Sequence, residues 1–386
     1  MSRSWLQPSG TLRVAERAAA LRAAGIAVAD FAGSRPEDAA PAFLREALHR
    51  AADDGFNFLT GAAGISELRA ALARALAREY GITADPDGEI LVTVGAKYAV
   101  YLALMACVGP GDEVLLLDPS WVSYDPAVRL AGATPVPVPM RVLPDGRSAL
   151  DPEALASRIG PATRMVLLNT PHNPTGAVFD EAALRAVGRA AARADAWVLV
   201  DESFAKIVYP GARHVSLAAL EEGRGRTLTV QSFSKSYVMP GLRVGVLAGP
   251  RAVVERAALV QQHTTTCAPS QGQLAALAAL DAPAAFFDAL RDSYLRKRDL
   301  VVGELNRIRG VRCVPPDGAF YAFPDCSALG ESSAALADRL LEEAHVAVVP
   351  GAAFGARGEG HLRLTFTRSL EELSRGLARV RAVLGR

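Results

Sequence analysis

Seven short apolar runs set the limits on what this chain can fold into. EILVTV, DEVLLLD, TPVPVP, RMVLLNT, AWVLVDE, TLTVQSF and RVGVLAG follow one another between residues 89 and 249, alternating with Ala/Leu/Arg-rich stretches of helical spacing. Strands that alternate with helices predict an α/β fold, with a mostly parallel sheet and helices on both faces. Several runs are apolar without alternation, as strands buried on both sides are.

The flanks read differently. Residues 12–25 and 66–80 carry apolar positions at i, i+3 and i+4 and predict amphipathic helices. A long helical stretch at 284–309 breaks the rhythm, and the strands expected near 319–325, 345–351 and 361–367, with a closing helix from 369, read as an α+β module. The expected organisation is therefore an N-terminal segment (1–45) packing with the smaller domain, a large domain (46–283), and a small C-terminal α+β domain (284–386).

The bulk properties narrow the function. A formal net charge of +1 gives no electrostatic reason to expect nucleic acid or an anionic membrane as partner. The cysteines at 107, 267, 313 and 326 have no paired spacing, which argues against a zinc site or disulfide framework and fits a reducing cytoplasm. No histidine spacing suggests a metal. The first 25 residues lack a secretory apolar core. The run 90-ILVTVGAKYAVYLALMACVG-109 contains Lys97 and a glycine turn, and so reads as a buried strand and helix rather than a membrane span.

In an open α/β sheet ligands gather at the carboxyl ends of the strands. Four such ends carry unusual residues: 95-GAK-97, 170-TPHNPTG-176, Asp201–Glu202, and Ser232, Ser234 and Lys235 in 232-SFSKSYVMPGLRVG-245. Each has an ordinary reading alone, as a turn, a loop or a helix cap. Together, with 109-GPGDEVLLLDPSWVSYDPAVRLAG-132, 317-DGAFYAF-323 and 346-VAVVPGAAFG-355, they make the chain resemble the class I/II aminotransferases of PLP fold type I, nearest the bacterial aspartate/prephenate aminotransferase branch.

The resemblance implies a seven-stranded large domain, a smaller α+β domain and pyridoxal 5′-phosphate (PLP) as cofactor. It implies Lys235 as the Schiff-base lysine and proton carrier, and Asp201 as partner of the pyridine nitrogen. Asn173 would bond the ring oxygen and Trp121 would stack on the ring. Ala96, Lys97, Ser232, Ser234 and Arg243 would hold the phosphate. Arg363 would grip the substrate carboxylate and Gly33 would lie close to it. Lys97 and Thr11 match positions that recognise a distal carboxylate, although Lys97 has the alternative of serving only the phosphate or the surface. His172 is read as pocket-lining or as plain loop, and His263 as bordering the site.

Two positions depart from the family. Phe204 stands where a tyrosine is usual, and Phe58–Leu59 where a tyrosine from a partner subunit is common. The expected activity is transfer of an amino group from an L-amino acid, with aspartate or glutamate as candidates, to a 2-oxo acid. The lost phenols keep open a second reading: elimination, replacement or cyclisation on the same cofactor. A homodimer with shared sites is implied by resemblance. An aminotransferase-like sensor fused to a DNA-binding module is disfavoured, because no residues are left over for a winged helix.

Overall fold

The computed structural model describes residues 5–385. All seven apolar runs become strands of one sheet: β1 (Ile90–Thr93), β2 (Glu113–Asp118), β3 (Thr134–Pro139), β4 (Thr163–Asn169), β5 (Trp197–Asp201), β6 (Thr227–Ser232) and β7 (Gly245–Ala248). Their spatial order is β1-β7-β6-β5-β4-β2-β3, and only β7 runs antiparallel to its neighbours. Every residue of β1 and β7 is buried, which is why these runs lack a polar alternation. The helix Ala96–Cys107 covers one face with Ala99, Val100, Leu102, Ala103 and Leu104, and Glu181–Arg193 covers the other with Leu184, Val187 and Ala191.

The edge strand β3 has an unusual sequence, TPVPVP. Thr134 and Met140 donate their N–H groups toward β2, to Asp112 and Asp118, so the even positions point inward. The outward positions are Pro135, Pro137 and Pro139, which have no N–H to offer. The exposed edge therefore lacks the donors that would template another strand.

Registration sets the site. Asn169 at the end of β4 pairs with Asp201 at the end of β5, and Asp201 pairs with Val230, two residues before Ser232 on β6. Three neighbouring strands thus deliver polar residues to one rim, as the rule for parallel sheets expects.

The C-terminal third builds a three-stranded sheet from Tyr321–Ala322, Leu362–Thr365 and Val349–Pro350. The expected strand at 345–351 is split: Val346–Ala347 pairs instead with Ala29–Asp30, and Val349–Pro350 joins the sheet. This pairing ties the N-terminal segment to the C-terminal third. Helix Ala42–Asp53, which crosses the expected boundary at residue 45, packs as a unit on Ser270–Leu280. The closing helix Leu370–Leu384 begins with a capping box between Ser369 and Glu372. Among the described residues no single helix is long and apolar enough to cross a membrane.

Candidate active site

A cavity of about 280 Å³ opens at the carboxyl rim of the sheet, lined by residues from the strand ends and by Ser34 and Tyr321. Of the expected cofactor residues, Ala96, Lys97, Trp121, Asn173, Asp201, Phe204, Ser232, Ser234, Lys235 and Arg243 all line it.

Asp201 forms the floor. Its carboxylate accepts from Tyr124 Oη at 2.9 Å, Ser203 Oγ at 2.6 Å and Ser203 N at 3.0 Å. Burial pushes its pKa up; those three donors, opposed in turn by the neighbouring Glu202, pull it back toward the charged form. Asn169 Nδ2 donates to the Asp201 carbonyl, while Asn169 Oδ1 takes the N–H of Asn173, both at 2.8 Å. Asn169 therefore fixes Asp201 and Asn173 to each other.

Lys235 sits in the short helix Phe233–Ser236, which Ser232 caps by accepting the Ser234 N–H at 3.2 Å. Burial lowers the Lys235 pKa to about 8, helped by Arg363, Arg243 and Lys97 and opposed by Asp201. Such an amine is still mostly protonated at pH 7 but gives up its proton through about pH 8, well below an ordinary lysine. In the described structure its Nζ donates to the Ser34 carbonyl.

At the far end, Arg243 lies over the start of helix Ala96–Cys107. Its backbone is left-handed (φ 53°), an uncommon state for a residue with a side chain. Gly95 (φ 76°) makes the approach possible, since a Cβ there would fall 2.3 Å from Arg243 Nη2. This end joins a guanidinium, two hydroxyls and the N–H groups of a helix start, a donor set suited to a phosphate dianion. Trp121 walls the cavity, with Lys97 Nζ 5.0 Å from its ring centre. Burial and Arg243 both lower the Lys97 pKa.

Arg363 is fully buried. Nη1 donates to Asn173 Oδ1 at 3.1 Å and Nη2 to the Ala32 carbonyl at 2.9 Å, while Nε has no partner. Its guanidinium lies 4.7 Å over the ring of Tyr321 and 4.8 Å from that of Phe354. A buried cation with an unspent donor calls for an anion.

Other expected residues fall elsewhere. Gly33 bonds Asp30 and does not line the cavity; the next residue, Ser34, does. Thr11 lies in the helix Gly10–Ala23 and does not line it either. Arg13 of that helix borders an adjoining groove together with Lys97 and Arg243. His172 bonds Thr175 and lies in the protein interior, where burial lowers its pKa to about 3 and keeps it neutral. His263 is exposed at the end of a helix. Among the described residues no group of His, Cys, Asp or Glu side chains is placed to hold a metal ion.

Tyr124, Asn169, Ser203, Ser34 and Tyr321 complete the site without having been singled out. Asn169 did leave a signal: it is the polar residue closing the apolar run RMVLLN.

Residues 26–380 match the family model "Aminotransferase class I and II". The chain belongs to the class I and II aminotransferases. It is 38% identical over 387 residues to a probable aspartate/prephenate aminotransferase of Aquifex aeolicus, covering 99% of this chain and 97% of the relative. Among solved structures it resembles the aspartate aminotransferase of Thermus thermophilus with maleate (TM-score 0.94, 38% identity, 100% of this chain and 99% of that one). It also resembles the aromatic aminotransferase of Pyrococcus horikoshii (TM-score 0.89, 36% identity, 96% and 98%). The aminotransferase is thus a fold type I enzyme that uses PLP, and of the two activities weighed from sequence it is transamination that these relatives support.

Proposed function

We propose that this aminotransferase takes its amino group from a dicarboxylic L-amino acid, aspartate or glutamate, and passes it to a 2-oxo acid. The observation that carries the reading is the pair of cationic positions: the buried Arg363 with its free Nε, and Lys97 at the cavity mouth beside a groove that also holds Arg13. A fork and a separate point charge suit two carboxylates on one substrate. The relatives named for aspartate point the same way.

The donor set fits PLP. Asp201 would face the pyridine nitrogen and Asn173 the ring oxygen. Trp121 would cover the ring, and Arg243, Ser232, Ser234 and the N–H groups of Ala96 and Lys97 would take the phosphate. Bound there, PLP supplies an aldehyde that condenses with amines and a ring that accepts the electrons left when Cα loses its proton. Lys235, with a pKa near 8, takes that proton from Cα as a neutral amine and returns it. Arg363 orients the α-carboxylate.

Exposed Phe58, Leu59, Leu12 and Leu259 support a homodimer with its site near the subunit boundary. The balanced charge and unpaired cysteines fit a cytoplasmic enzyme.

The test is a comparison of half-reactions. Aspartate or glutamate should convert the bound cofactor to its amine form at least ten times more efficiently than alanine or phenylalanine, and Lys97→Leu should remove most of that preference. Equal rates for acidic and neutral donors would overturn the dicarboxylic reading.

A further inference from the structure

Two backbone carbonyls of one short loop hold the two cations on which the site depends. The Ala32 carbonyl accepts from Arg363 Nη2 at 2.9 Å, and the Ser34 carbonyl accepts from Lys235 Nζ. The loop is fixed at its base, where Asp30 Oδ1 takes the N–H groups of Ala32 and Gly33 at 3.1 Å each. Its tip is fixed by one side-chain contact, Ser34 Oγ to Tyr321 Oη at 3.0 Å. Tyr321 cannot easily shift: it is buried, with Arg363 4.7 Å over one face and Phe204 edge-on at 5.4 Å. Both hydroxyls border the cavity, and neither has a part in the chemistry described above.

We propose that the Ser34–Tyr321 hydroxyl pair is a positioning latch that keeps the Ser34 carbonyl on Lys235 whenever that lysine carries a free amine, and thereby sets how readily the amine releases its proton. A carbonyl can only accept, and it bonds an ammonium more strongly than a neutral amine. The latched carbonyl therefore favours the protonated lysine, as the Asp201 carboxylate does. Burial and the cations Arg363, Arg243 and Lys97 favour the neutral form. The other polar side chains on the cavity wall, the hydroxyls of Tyr124, Ser203, Ser232 and Ser234 and the amides of Asn169 and Asn173, are uncharged. Within this balance the loop carbonyl is the contributor whose place the Ser34–Tyr321 pair holds. The Ser34 and Tyr321 side chains bond each other rather than the lysine and act on it through the Ser34 carbonyl.

The latch rests on Lys235 as the reactive lysine. The test reads that amine directly, so its outcome is separate from the identity of the substrate. The full-length chain is freed of cofactor and acylated with a small amine-directed reagent over a range of pH. Labelling is followed by mass spectrometry, which is simplified because the sequence has four lysines, at 97, 206, 235 and 297. Ser34→Ala and Tyr321→Phe should each move the Lys235 labelling midpoint to lower pH by about half a unit to one unit. The double variant should move it no further than either single one, and Ser34→Thr, which keeps a hydroxyl, should retain the original midpoint. An unchanged or raised midpoint in the single variants, or shifts that simply add, would overturn the latch. Should Ser34→Ala fold poorly by thermal melting, Tyr321→Phe and Ser34→Thr give the same decision.

Discussion

The Tyr124 hydroxyl donates to the Asp201 carboxylate at 2.9 Å from a fully buried position, on the side opposite the Ser203 bonds. Asp201 is thereby held between two residues, Tyr124 and Ser203, that supply three donors while burial works to protonate it. A hydrogen bond to a charged group contributes about 1.5–3 kcal/mol. Tyr124→Phe should therefore let the Asp201 pKa climb, weakening its hold on a cationic ring nitrogen. Steady-state kinetics should show kcat/KM falling roughly 10- to 100-fold, with Asp201→Asn more severe. A Tyr124→Phe enzyme with unchanged kcat/KM would mean that Ser203 alone suffices.

Gly95 and Arg243 share one small space. A Cβ at position 95 would meet the guanidinium at 2.3 Å, and the backbone there has φ 76° and ψ 163°, a region open almost only to glycine. Gly95→Ala should displace Arg243 from the helix start and cost backbone energy of order 1–3 kcal/mol. The expected result is a PLP dissociation constant raised at least about tenfold, measured by equilibrium dialysis. The cofactor-free chain should melt only a few degrees lower. Unaltered affinity would separate Arg243 from the phosphate.

How much of this was legible beforehand follows from the kind of signal. The seven strands were readable because two-sided burial writes continuous apolar runs, and β1 and β7 are buried at every position. Lys235, Asp201 and Arg243 were readable because their motifs occur together in one chain and resemble one family, although each alone has an ordinary reading. Tyr124 and Tyr321 were not, because a buried aromatic residue reads as core until its hydroxyl is seen to meet Asp201 or Ser34. Likeness points to Gly33, whereas the side chain that lines the cavity is one residue along, at Ser34. The split of 345–351 was hidden as well: two strands that pair with different partners leave the same apolar run as one.

The outward prolines of β3 make a separate prediction. Pro137→Val with Pro139→Val would restore two N–H donors on an exposed edge and add β-branched side chains. Concentration-dependent association should appear by light scattering at concentrations where the parent enzyme is stable. kcat/KM should stay within about twofold at low concentration, because two strands, β4 and β2, lie between the edge and β5. A variant as well behaved as the parent would show that the edge is protected by something other than its missing donors.

Burial of Lys235 also leaves a mark on stability. Its folded pKa lies near 8, below the ordinary lysine value of 10.5 given by an unfolded chain. Between these two values the unfolded chain binds the extra proton, so this group raises the stability of the cofactor-free protein as pH climbs from about 8 toward 10.5. Below pH 8 the lysine is charged in both states and its full burial penalty remains. Lys235→Met removes the titration, and its cofactor-free form should melt higher than the parent at pH 7. The gap between the two should narrow as the pH is raised through 9, because only the parent gains from losing the proton. Lys97 and Lys297 also have lowered pKa values but are common to both proteins, so the difference between the two melting curves isolates Lys235. Parallel curves, with a gap independent of pH, would show that Lys235 titrates like an exposed lysine and would remove the basis for its action as a neutral base.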